Sequence, residues 1–188
     1  MAQRTEEITG VSLPPAGTYV LDPTHTEISF VARHMLTKVR GRFTEFDGSI
    51  EVAERPEDSS VEVSVKTASV QTNTQQRDDH LRSADFFESE EYPEMTFRST
   101  GVRVTGDSGF ELDGDLTIRD VTKPITLEGA FHGWGKDPFE NTKIFAEAKA
   151  TVDREDWDLT WNVAVETGGF LVSKKIDLVI DVEAALQA

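Results

Sequence analysis

Along most of this chain apolar residues recur at every second position, the period of a strand with one buried and one solvated face. Ile28, Phe30 and Ala32 share one face of residues 27–33, and Val39, Gly41 and Phe43 alternate with Arg40 and Arg42. After a solvated turn over residues 54–60, Val61, Val63 and Val65 alternate with Glu62, Ser64 and Lys66. Val102 and Val104 follow, broken by Gly106-Asp107-Ser108-Gly109, and then Phe110, Leu112, Leu116 and Ile118 share a face. A turn over residues 120–124 leads to Ile125, Leu127, Gly129 and Phe131, and residues 133–141 read as a loop. Ile144, Ala146, Ala148, Ala150 and Val152 give a small-residue face, and Ile176, Leu178, Ile180 and Val182 form the last strand.

The pattern predicts an all-β chain of about eight strands, antiparallel because the connections are short. No helical crossover pattern separates the strands, which excludes a parallel α/β sheet. A two-sheet sandwich and a closed up-and-down barrel both remain. A barrel of that size can hold one small ligand. Small residues such as Gly129 and Ala146 opposite large aromatics fit tight packing and fit room for a guest.

Residues 71–100 break the period. Thr72, Asn73 and Thr74 are each able to accept from a free amide at a helix N-terminus, and Asp78 and Asp79 favour the positive end of the dipole. Leu81, Ala84 and Phe87 lie three apart, an apolar stripe at helical spacing, and Pro93 ends any helix. The reading is a short amphipathic helix that delivers Phe86 and Phe87 to a mouth built from strands. Phe145 stands out of phase with Ile144 and Ala146, so one face of that strand meets something unusual.

The 188 residues suit one domain: a loose, proline-terminated arm over residues 1–16 and a folded unit over residues 17–188. Net charge is −16, so electrostatic binding to nucleic acid or to an anionic membrane is not expected, and no basic cluster is expected to offset it. There is no cysteine, which removes thiolate chemistry and disulfides. No apolar run reaches the ~20 residues of a spanning helix, and none near the start has signal-peptide length, so stable membrane insertion is not expected and a cytoplasmic location is.

His25, His34 and His80 lack the spacing of a zinc site, so no metal is expected. Asp79, His80 and Ser83 bring hydrolase chemistries together, but helix neighbours at i and i+1 diverge, and no nucleophile-elbow pattern is present. His80 bonded to a loop carbonyl is the structural reading. Arg77 and Asp78 each need a partner if part-buried.

Several motifs together resemble the YceI-like polyisoprenoid-binding proteins. They are Leu21-Asp22 with His25, Phe30 and His34, and the series Val39, Gly41, Phe43, Phe46 and Gly48. They continue with Ser69-Val70 and Thr72, Arg77-Asp78, His80 to Ser83, and Asp85-Phe86-Phe87. Tyr92-Pro93 with Thr96-Phe97, and Gly114, Leu116 to Ile118 and Val121 to Pro124, complete a match over roughly residues 17–184. The resemblance implies an extended eight-stranded antiparallel β-barrel of lipocalin type, holding an isoprenoid chain such as a polyprenyl quinone tail, as carrier or sequestering protein and not an enzyme. No cofactor is implied beyond that lipid, and a homodimer is allowed. The implied ligand-binding residues are Phe30, His34, Phe43, Leu81, Phe86, Phe87, Phe97, Leu116, Ile118, Phe131, Phe145, Trp157 and Phe170. The arginines of the insert read either as docking the helix by ion pairing or, for Arg77 or Arg82, as head-group candidates that orient a polar quinone head at the mouth.

Two departures stand out. Many members are exported, whereas no export signal is read here. Where the family often has a phenylalanine-glycine pair, this chain has Asp156-Trp157-Asp158, whose indole could shorten or reshape a cavity. Against the carrier stands an enzyme, an isomerase or hydrolase on a hydrophobic substrate with His34 or His80 as base. A third reading is an interaction module with a filled core.

Overall fold

The computed structural model describes residues 7–8 and 11–188. Two short paired strands, β1 (Glu7–Ile8) and β2 (Val11–Ser12), precede β3 (Gly17–Leu21), β4 (Glu27–His34), β5 (Thr37–Phe43), β6 (Phe46–Val52) and β7 (Ser60–Lys66). The excursion that follows holds β8 (Val70–Gln71) and α1 (Gln75–Arg82). The chain then runs through β9 (Glu94–Thr105), β10 (Gly109–Ile118), β11 (Val121–Lys136), β12 (Thr142–Asp153) and β13 (Lys175–Leu186).

Strands β3 and β4 are halves of one bent strand, and so are β5 and β6: β3 pairs with β6 and β4 with β5, giving one long hairpin. From there the order is β7, β9, β10, β11, β12, β13, every pair antiparallel. The last strand returns to the first, β13 pairing with β4 at Asp177–Asp181 and with β3 at Ala184–Leu186. The result is a closed antiparallel barrel of 8 strands, and the sandwich alternative is excluded.

Closure requires the inward phase to survive two irregularities in the alternation. Met95 and Phe97 face inward at odd positions of β9, yet Val102 and Val104 do so at even ones. The register shift opposite Asp113 and Gly114 absorbs the change by giving β9 one extra residue. A second shift between Phe131 and Gly133 rephases β11, so that Trp134 joins the core. This strand runs on to Lys136, which corrects the loop expected over residues 133–141: only Asp137 to Asn141 turns.

The helix is shorter than the stripe of Leu81, Ala84 and Phe87 suggests. It ends at Arg82, after which residues 83–92 form successive turns, with the Phe87 amide donating to the Leu81 carbonyl at 2.9 Å. No side chain of the Thr72 to Thr74 run caps it. Instead the buried Asp78 carboxylate reaches back and accepts from the Thr72 amide at 2.8 Å and its hydroxyl at 2.6 Å. Arg77 donates to the Thr72 hydroxyl at 2.7 Å and carbonyl at 2.8 Å. Both charged residues thus find polar partners within one loop.

Of the arm expected over residues 1–16, residues 1–6 and 9–10 lie outside the described residues. Within the described part, Ser12 Oγ accepts from Trp134 Nε1 at 3.1 Å, and the Pro15 carbonyl accepts from the Tyr19 hydroxyl at 2.9 Å.

Candidate functional site

The inward faces of the barrel do not fill it. A cavity of about 740 Å³ runs from Leu13, Val104 and Phe110 at one end to His34, Phe87 and Trp161 at the other. Volumes of about 300–1,000 Å³ are usual for small-molecule sites. Its wall is mostly apolar because the strands contribute chiefly their inward sets, for example Val61, Val63 and Val65 of β7 and Ile176, Leu178, Ile180 and Val182 of β13.

Large aromatics leave the lumen open because of where their rings lie. Phe110 stands opposite Gly129, and its Cζ occupies the place a Cβ on that glycine would need, 2.1 Å away. Phe97 does the same over Gly114 at 2.3 Å. Each ring is laid against the wall in the vacancy left by a glycine, the arrangement that shields glycines in curved sheets.

Eleven of the thirteen residues expected to bind ligand lie on the cavity wall: Phe30, His34, Phe43, Leu81, Phe86 and Phe87, then Phe97, Leu116, Ile118, Phe131 and Trp157. Phe145 and Phe170 do not. Phe145 points to the outer face, 38% exposed, because Ile144 and Ala146 hold the inward phase of β12. Phe170 is 59% exposed on a turn that its bridge to Ala164 folds outward. Of the head-group candidates, Arg77 reaches the cavity and Arg82 does not. Arg82 is spent on the Ala68 and Val70 carbonyls and on Asp79, at 2.7, 3.1 and 3.0 Å.

The end near α1 is lined by residues that the alternation did not single out. Leu159, Trp161, Leu171 and Val172 come from the irregular segment between β12 and β13, and all line the cavity. Trp157 is buried here, its Nε1 donating to the Leu116 carbonyl at 2.9 Å, so the indole becomes wall. Arg154 is buried beside it and donates to the Ser173 carbonyl at 2.9 Å and the Leu159 carbonyl at 2.5 Å. Its guanidinium lies 6.0 Å from the Phe86 ring centre. Burial pulls this guanidinium below its ordinary pKa, against the pull of Glu155 and Asp153.

His80 also differs from expectation. It pairs with the Asp85 carboxylate at 2.8 Å, not with a loop carbonyl, because the turn after α1 carries Asp85 back alongside it. Its ring stands edge-on to Phe86 at 5.1 Å and Trp161 at 4.5 Å. Among the described residues one trio of metal-capable groups converges, Asp22, His25 and Glu183. The Lys143 ammonium already lies 3.0 Å from Asp22 and 2.5 Å from Glu183. Asp22 is held well below the usual carboxylate range, first by the Thr24 hydroxyl and then by His25, while Glu183 and then Asp22 push Lys143 up to about 12.

Fold and site together define a closed eight-strand antiparallel barrel around an apolar cavity. Residues 19–184 match the YceI-like domain, and the chain belongs to that family. It is 38% identical over 165 residues to Protein YceI of Escherichia coli O157:H7, covering 87% of this chain and 83% of the relative. The crystal structure of the Campylobacter jejuni YCEI protein is 28% identical with a TM-score of 0.72, covering 83% of this chain and 90% of that one. A polyisoprenoid binding domain from Saccharophagus degradans shares the fold at 14% identity and a TM-score of 0.70, covering 92% of this chain and 100% of that one.

Proposed function

We propose that the barrel takes up a long-chain isoprenoid or related apolar lipid, such as a polyprenyl quinone, as a carrier or sequestering protein. The observation that carries this reading is the continuous apolar cavity along the barrel. Its wall offers hydrocarbon to hydrocarbon, and each buried CH₂ contributes about 0.8 kcal/mol. The likeness in fold to a polyisoprenoid binding domain supports the same class of ligand. No cofactor is required.

Native mass spectrometry of freshly purified protein, with hexane extraction beside a mock purification, tests the reading. An extractable apolar mass is the expected result. Extracts indistinguishable from the mock, together with no binding of added isoprenoids to stripped protein, would overturn it. A ligand at one hundred times its dissociation constant stabilises a fold by about 2.7 kcal/mol. For a domain of this size that is roughly 5–10 °C in melting temperature. Stripped protein should therefore melt progressively later with longer isoprenoids until the chain outgrows the cavity.

The His80–Asp85 pair at the cavity end is the specific observation behind an enzyme reading, since a carboxylate-paired histidine in an apolar site suits a general base. The two readings separate on His80→Ala. The carrier reading expects lower stability and unchanged lipid selectivity. A variant of unchanged stability that binds lipid but loses a measurable turnover favours the enzyme.

A further inference from the structure

We infer that the tip of the β4–β5 hairpin is a docking surface for an anionic lipid bilayer, which it meets peripherally and reversibly. In a chain with 35 acidic residues, residues 28–44 contain none, while Arg33, Lys38, Arg40 and Arg42 all fall within them. The register puts these four on one face. Arg33 stands opposite Lys38, Val31 opposite Arg40 and Ser29 opposite Arg42, while Phe30, Ala32, Val39 and Phe43 turn inward. The whole-chain charge of −16 conceals this local sign, and the hairpin is the basic cluster that the alternation was not expected to contain.

Among the described residues none of the four makes an ion pair, although Arg42 donates to the Gln71 side chain at 3.0 and 3.2 Å. Like charges directly across a strand pair repel, and Arg33 with Lys38 is such a pair at the end of the hairpin. The acid that faces them from the neighbouring strand is Asp177, which stands opposite Val31. Asp177 already accepts from the Thr151 hydroxyl at 2.8 Å.

The apex between these charges is apolar. Met35, 52% exposed, and Leu36, 91% exposed, form the turn, with Met35 at a positive φ of 53°. The Met35 amide donates to the Leu171 carbonyl at 2.8 Å, and the Leu171 amide to the Val163 carbonyl at 2.9 Å. These bonds bring the exposed Val163 and Phe170 to the same end of the barrel, one bridge from His34 at the cavity rim. Apolar side chains at an apex flanked by Lys and Arg are what an interfacial element needs: hydrocarbon to enter the headgroup boundary and cations to meet anionic lipid. Charge complementarity selects an anionic bilayer over a neutral one. Lys38 and Arg40 also discourage edge pairing along β5, but that role gives no reason to expose Met35 and Leu36 beyond the edge.

The test is co-flotation of the purified protein with phosphatidylcholine vesicles, with and without about one-third phosphatidylglycerol, a level at which juxtamembrane cations respond. Binding is expected to the anionic vesicles only, and to fade as salt rises towards 1 M, where the screening length falls to about 3 Å. Lys38→Gln and Arg40→Gln should each weaken it roughly fivefold. Leu36→Asp should weaken it about tenfold or more without lowering the melting temperature, since Leu36 packs against almost nothing. Phe139→Asp is the control. Phe139 is 83% exposed, yet it sits in the β11–β12 turn at the far end of the barrel, and its loss should leave binding unchanged.

Equal flotation with neutral vesicles, an unaffected Leu36→Asp variant, or binding lost with Phe139→Asp would each overturn the inference. So would self-association that Leu36→Asp abolishes in protein that never floats, which would give the face to a second copy of the chain. Flotation is read whatever the cavity contains, so failure here leaves the lipid-carrier reading untouched, and the reverse holds.

Discussion

The ring of Phe30 lies over Gly41, its partner across the β4–β5 pair, so closely that a Cβ on residue 41 would come within 2.3 Å of the ring's Cζ. The glycine is the recess into which the ring is laid. Gly41→Val should therefore tip Phe30 into the lumen, costing about 1–3 kcal/mol by overpacking. It should also shorten the longest isoprenoid that still raises the melting temperature. An unchanged length limit would mean that ring position does not set the bore.

The Asp22, Glu183 and Lys143 cluster pins the bend between β3 and β4 to the last strand. Asp22 has its pKa lowered by folding, so its contribution is complete above about pH 4, the unfolded carboxylate value, and is lost as pH falls below it. Lys143 is raised to about 12, so its contribution is complete below about pH 10 and lost only as pH climbs through 12. Lys143→Met should cost about 1–3 kcal/mol at neutral pH by leaving two carboxylates facing each other. The gap between variant and native protein should close in acid, where those carboxylates take up protons. Urea titrations at pH 7 and pH 3 measure both values.

Asp78 organises the loop before α1 through its contacts with Thr72. Asp78→Ala should destabilise by about 1–3 kcal/mol, because the Thr72 amide loses its acceptor in a buried setting. Asp78→Asn keeps an oxygen in that place and should cost clearly less. Equal losses in chemical denaturation would show that charge, not acceptor geometry, matters there.

Leu116 lines the lumen beside Trp157, and its backbone carbonyl is held by the indole. Leu116→Asp should flatten the dependence of ligand-induced melting shift on isoprenoid length, since a carboxylate in an apolar cavity is heavily penalised. A series that keeps its slope in this variant would place the hydrocarbon elsewhere.

The strands were legible because period two reports burial directly. Val61 to Lys66, read as the cleanest strand, is β7 almost to the residue. Ring closure was not legible from alternation, which shows which face is wet but never which strand is the neighbour, so β13 pairing with both halves of the first strand came only from the structure. The resemblance to the YceI-like proteins, not the pattern, selected the barrel. The extra residues near Thr100 and His132 explain why the inward phase of β9 and β11 switches midway. Phe145 was correctly seen as out of phase, but outward was the side it took. The end cap from Leu159 to Val172 escaped because irregular backbone has no period, and its residues are brought together by distant pairings such as His34 with Val172.

The seam between first and last strands also bears on how the chain is made. Contacts such as the Ser29 hydroxyl to the Val179 carbonyl at 2.8 Å join residues 150 positions apart. While the ribosome is still synthesising the protein, the β4 edge and the β12 edge stay unpaired until the 12 residues of β13 emerge. Open strand edges recruit other chains, and pairings this distant form late and slowly. A nascent chain stalled just short of Lys175 would carry two such edges on an unsealed sheet, each a template for pairing with another chain.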